Sequence, residues 1–249
     1  MKWASCFLFP LLFSACFQKQ NKEEEIEWSI NTDTVFILEK QLTPTKVLTK
    51  TAQYLDSLGL VNLLEKDSTL IVDLMYAKAN NFTGEILYKD LTEAYLIPEV
   101  AEAVVKAHSL LKEKHPSYSF IIYDAARPMS VQQKMWNVVK GTSKYKYVSN
   151  PANGGGLHNY GLAVDISILD ENQQPLPMGV PVDHLGFESH ITEEAQLVSK
   201  GIITEQEKTN RELLREIMVR VGFKPLASEW WHFNWCSRKE AREQYACIE

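Results

Sequence analysis

Apolar positions follow two rhythms along the chain. After Pro98, the residues Val100, Val104, Ala107 and Leu111 recur at three- and four-residue intervals, which predicts a helix that Pro116 cannot let continue. Ser130 with Gln133 forms a capping-box pair ahead of Met135, Trp136 and Val139. Thr204 with Glu207 repeats the device ahead of Leu213, Leu214, Ile217, Met218 and Val221, with Gly222 as the stop. Between these helices, the runs Leu70–Leu74, Tyr118–Tyr123, Gly161–Leu169 and Trp230–Trp235 read as strands. Helices and strands interleave without a regular βαβ alternation, and no G-x-G-x-x-G opens a helix, so an α+β domain is expected. Gly154-Gly155-Gly156 lacks the Lys-Ser/Thr of a phosphate loop and reads as an approach to His158. His108 and His115 read as surface or packing residues of the first helix.

The opening pattern is different. One charge, Lys2, precedes a run containing Trp3, Phe7, Leu8, Phe9, Leu11, Leu12 and Phe13, too short to cross a bilayer that needs roughly 20 apolar residues. Residues 1–15 are therefore expected to be an export signal. Phe13-Ser14-Ala15-Cys16 resembles the bacterial lipobox, which implies lipidation at Cys16 and attachment to the cell envelope through that anchor alone. Gln18 to Glu27 is polar and acidic, so residues 16–45 read as a solvated tether and linker. Within it, Val35-Phe36-Ile37-Leu38 is a short strand or a stretch that folds back. Residues 46–249 form the predicted domain.

Composition narrows the function. At 249 residues and 45% hydrophobic the chain can bury a core, and a formal charge of −6 offers no electrostatic footprint for nucleic acid. If Cys6 is removed with the signal and Cys16 is acylated, Cys236 and Cys247 remain, either as a disulfide or as two free thiols.

The chemistry concentrates in two stretches. His158 precedes a strand in which Leu162, Val164, Ile166 and Ile168 share one face, leaving Ala163, Asp165 and Ser167 on the other. A carboxylate opposite an apolar row needs a partner or a cation unless its own face is solvated. The second stretch, Ser228 to Trp235, packs Glu229 and His232 among tryptophans. Those two have opposite parity in an unbroken strand, so a shared site requires a turn or bulge near Trp230. Together His158, Asp165 and His232 supply two nitrogens and one oxygen, a set suited to one catalytic zinc with a fourth position for water. Glu229, outside that set, is placed to take the water's proton. Arg127 stands between a strand and a helix, either to stabilise an oxyanion or to pair with Asp124 and hold the turn.

From about Leu70 to Trp235 the chain resembles the VanX-type D-alanyl-D-alanine dipeptidases, zinc peptidases of the hedgehog/DD-peptidase fold. The pattern S-x-H-x-x-G-x-A-x-D is matched at His158, Gly161, Ala163 and Asp165, and E-W-W-H at Glu229 to His232. The resemblance implies a central antiparallel sheet flanked by helices. It assigns zinc to His158, Asp165 and His232, the catalytic base to Glu229 and transition-state stabilisation to Arg127. It also implies that Tyr76 and Asp183 hold the free amino group of a small D,D-dipeptide. Gly156 departs from the pattern, standing where the family has serine. His184 and His190 are expected to be loop residues. The implied activity is zinc-dependent hydrolysis of D-Ala-D-Ala in wall turnover; a carboxypeptidase acting on stem peptides and a noncatalytic wall-binding lipoprotein are the alternatives.

Overall fold

The computed structural model describes residues 47–249; the predicted signal, Cys16, the acidic tether and the Val35–Leu38 stretch lie outside the described residues. The fold begins at α1 (Lys50–Ser57), where the Thr49 side chain accepts from the Ala52 amide. There follow β1 (Val61–Asn62), α2 (Leu63–Lys66), β2 (Ile71–Val72), β3 (Tyr95–Leu96), α3 (Pro98–Lys114), β4 (Ser119–Asp124) and α4 (Met129–Val139). The second half adds β5 (Ala163–Leu169), α5 (Glu194–Ser199), α6 (Glu205–Arg220), β6 (Lys224–Leu226), β7 (Glu229–Asn234) and α7 (Arg238–Gln244). Leu48–Glu249 is one compact unit.

Five strands form the central sheet in the order β2-β4-β5-β7-β6. Every pairing is antiparallel except β2 with β4, which is parallel, so the expected antiparallel sheet carries one parallel edge. β1 and β3 pair separately, antiparallel. The parity that aims Asp165 and His232 into a cavity puts Val164, Ile166, Ile168 and Phe233 on the opposite face. All four are buried there, and α3 packs against β4 while α6 packs against β6 and β7.

The predicted helices form with one correction. α3 starts at Pro98 and stops before His115. Thr204 and Glu207 make the reciprocal capping box of α6, and Gly222 follows its end at φ +110°. Ser130 does not cap α4. That helix begins at Met129, and Gln133 instead donates to Asn137. The Met129 amide is satisfied at 2.7 Å by the carbonyl of Ile248, so a distant segment does the work expected of a local hydroxyl. The run Leu70–Leu74 pairs only at Ile71 and Val72.

His108 is a fully buried link between elements: Nδ1 meets Asp67 Oδ2 at 2.7 Å and Nε2 meets Ser119 Oγ at 3.1 Å. The order acid, imidazole, hydroxyl is that of a nucleophilic relay. However, Ser119 is buried with the Thr69 carbonyl 2.9 Å from its hydroxyl oxygen, so the trio ties α3 to the start of β4. Cys236 and Cys247 are free thiols, the second of the two pairings left open by the sequence.

Candidate active site

Three neighbouring strands bring one row of polar side chains together. Asp124 on β4 pairs with Asp165 on β5, and Asp165 pairs with His232 on β7. A register shift between Ile122 and Asp124 sets the first of these pairs. His158 comes from the 3₁₀ turn Leu157–Tyr160, which ends at Gly161 in the left-handed region (φ +67°) before β5 begins.

The donor atoms of His158, Asp165 and His232 form a small triangle. His158 Nε2 lies 3.2 Å from His232 Nδ1 and 3.4 Å from Asp165 Oδ1, and His232 Nδ1 lies 2.9 Å from the same oxygen. A tetrahedral cation with bonds of about 2.0–2.1 Å requires ligand–ligand separations of roughly 3.3 Å. The outer hydrogen bonds fix the protons. His158 Nδ1 donates to the Ala125 carbonyl at 2.7 Å, and His232 Nε2 donates to Asn234 Oδ1 at 2.9 Å. Each imidazole therefore presents a bare nitrogen inward, and Asp165 presents an oxygen. Three buried lone pairs facing one another repel unless a cation lies among them, so the donor set fits a divalent metal of zinc's geometry.

Glu229 reaches this centre through the irregularity that parity required. β6 residues Pro225 and Leu226 are adjacent, yet they pair with Phe233 and Glu229, so Trp230 to His232 are surplus on β7. Glu229 Oε2 consequently lies 3.9 Å from His232 Nδ1. Burial pushes its carboxyl up to about 7, with Asp165 and Asp183 adding to the rise and His232 and Arg127 opposing it.

Arg127 makes the pairing with Asp124 that was one of the two readings of the sequence. Its Nε donates to Asp124 Oδ2 at 2.9 Å and its Nη2 to the same oxygen; Nη1 donates to Gln132 at 2.8 Å. Tyr88 also donates to Asp124, at 2.6 Å. Despite these ties the guanidinium faces the cavity, 3.9 Å from Asp165 Oδ2 and 5.0 Å from the Tyr76 ring centroid. Burial works against its charge, but Asp124 holds the guanidinium firmly protonated.

Across the cavity, Asp183 accepts from the Phe82 amide and from the Tyr76 hydroxyl, each at 2.8 Å. Burial lifts the Asp183 carboxyl to about 6 against those two hydrogen bonds. The Tyr76 hydroxyl, with its proton given to Asp183, keeps a lone pair for an incoming donor. All seven of these predicted catalytic, metal and substrate residues line one cavity of about 560 Å³. His184 and His190 are held in the loop by Glu188 and Tyr147 and do not join the metal triangle.

Gly156 is explained by its neighbour. A Cβ there would stand 2.9 Å from Ser149 Oγ, so Ser149 fills the space a side chain at 156 would need. Ser149 also joins residues that no motif marks: its carbonyl accepts from Gln132, and its hydroxyl accepts from Arg238 at 2.9 Å. Asn159, fully buried, donates to the Arg127 carbonyl and accepts from the Gly156 amide, locking the His158 turn to the Arg127 turn. Asn234 was legible as the same-face neighbour two residues after His232. Gln132 and Asn159 carried no such signal.

A family model described as D-ala-D-ala dipeptidase matches residues 56–249. The D-alanyl-D-alanine dipeptidase of Escherichia coli (strain K12) is 30% identical over 179 residues, covering 72% of this chain and 86% of its own. That of Enterococcus faecium is 28% identical over 185 residues, covering 65% and 83%. The matched span contains every residue of the site described above, and the chain belongs to the peptidase M15 family of D-Ala-D-Ala dipeptidases.

Proposed function

We propose that the protein hydrolyses D-alanyl-D-alanine to two D-alanines, with one zinc held by His158, Asp165 and His232. The observation that carries this reading is the three inward lone pairs, beside a desolvated Glu229 and across one cavity from Asp183. Bound zinc supplies Lewis acidity and lowers the pKa of water from 15.7 to about 7. Glu229 takes the attacking water's proton and returns it to the leaving amine, a task suited to a carboxyl near 7. Arg127 presents a permanent cation to the oxygen that gains charge as the peptide carbon becomes tetrahedral; one such donor contributes about 2.7–4 kcal/mol. Asp183 and the Tyr76 hydroxyl replace the water around the substrate's ammonium.

The apolar opening run and Cys16 support an exported, lipid-anchored form that meets dipeptides at the envelope. The test of the activity is release of D-alanine by the zinc-loaded protein from free and from N-acetylated D-Ala-D-Ala. Turnover of the free dipeptide alone is expected. Comparable rates on both would favour a carboxypeptidase of stem peptides, and a fully loaded protein inert on both would defeat the proposal.

A further inference from the structure

Asp183 stands on strained backbone. Its φ is +71°, in the left-handed region that residues with a side chain seldom adopt. Such a conformation persists where the surroundings over-determine it. No α-helix or strand among the described residues runs between Met178 and Glu188, so the support must come from elsewhere.

It comes from α6. Arg211, fully buried, donates from Nε to the Met178 carbonyl at 2.7 Å and from Nη2 to the Glu188 carbonyl at 3.0 Å, bridging the two limbs of the segment that carries Asp183. Nη1 makes no hydrogen bond and lies 3.9 Å from Glu194 Oε1, whose carboxylate Arg215 also holds. The guanidinium carbon sits 5.9 Å from the Trp230 ring centroid, and the Trp230 indole donates to the Val180 carbonyl at 3.2 Å. Asn210 adds a bond to the Pro177 carbonyl at 2.8 Å. A buried cation is costly, and here its hydrogen bonds go to main-chain oxygens of one loop.

We infer that Arg211 is a positioning residue for amine recognition: its planar fork fixes the separation of Met178 and Glu188 and so aims the Asp183 carboxylate at the substrate's ammonium. This rests on the reading of Asp183 given above. A lysine offers one point of charge in place of a fork and cannot hold both limbs in the same way.

The experiment compares kcat and KM for D-Ala-D-Ala and its N-acetyl derivative in zinc-loaded wild type, R211K, N210A, R215M and D183N, with zinc content and Tm recorded for each. R211K is expected to retain zinc and to narrow the free-over-blocked preference roughly tenfold, through a raised KM for the free dipeptide. R215M breaks the ion pair from α6 to Glu194 on α5, a carboxylate that Arg211 also approaches, but leaves both hydrogen bonds from Arg211 to the loop, and its preference is expected to stay at the wild-type value. If R211K does not fold, N210A decides, with a smaller narrowing expected. A wild-type preference in every folded loop variant, or an equal narrowing in R215M, overturns the inference. If D183N itself keeps the wild-type preference, the amine reading has failed independently.

Discussion

A proton and the substrate's ammonium compete for the Asp183 carboxylate. With that carboxyl raised to about 6, it is neutral below that pH and anionic above it, so KM for the free dipeptide should rise as pH falls through 6. Steady-state kinetics between pH 5 and 8 check this, and D183N should remove the dependence. Glu229 predicts a different signature. E229Q keeps the shape of the side chain and leaves the three donors in place, so zinc content should stay at one per chain while kcat falls about 10²–10⁴-fold. Near-normal kcat would remove Glu229 from the chemistry. At this scale the sequence was most legible where chemistry restricts the residue type: His158, Asp165, Glu229 and His232 stand in two short motifs, and the structure gathers them. The residues behind them were not, because Gln132 and Asn159 act through contacts that no spacing announces.

Local signals decided the elements wherever the neighbourhood satisfied its own hydrogen bonds. The Thr204 capping box and the Pro98 start formed as read. Ser130 failed because the carbonyl of Ile248 already meets the first amide of α4. Parity showed that Glu229 and His232 needed a bulge, but not that β6 would supply it by pairing Pro225 and Leu226 across the surplus residues. The joint of α3 with β4 carries its own prediction. Burial lowers the His108 pKa in the fold, so on acidification from 6.5 the unfolded chain takes a proton that the folded chain resists. Asp67, also lowered, adds to the loss at still lower pH through its bonds to Thr69 and His108. Glu229 and Asp183, raised in the fold, act in the opposite sense over this range, so the His108 effect is read in the double variant E229Q/D183N, whose urea midpoint should decline from pH 7.5 to 5.5. A midpoint that rises on acidification would contradict the assignment.

Across the whole molecule, the site is a product of long-range register. Asp124, Asp165 and His232 lie far apart in sequence and become neighbours only when β4, β5 and β7 are side by side. Ile248 completes this assembly near the C-terminus: its carbonyl caps α4, its amide donates to the Asn159 carbonyl, and its side chain is buried. Removing residues 247–249 should lower Tm and depress turnover more than zinc content, since the turns that hold Arg127 and His158 lose their tie while the three donors remain. Differential scanning fluorimetry with metal analysis tests that. The α+β class was readable from the interleaved rhythms, whereas the parallel pairing of β2 with β4 and the role of Ile248 were not, because each depends on what the fold brings alongside.

The central claim, that two bare imidazole nitrogens and one aspartate oxygen converge on a single cation, is tested most directly by zinc K-edge absorption on the loaded protein. A first shell of light atoms only is expected, with two imidazoles at about 2.0–2.1 Å and one carboxylate oxygen, reduced by one protein ligand in D165A. Sulfur in that shell, or a spectrum unchanged by D165A, would contradict it.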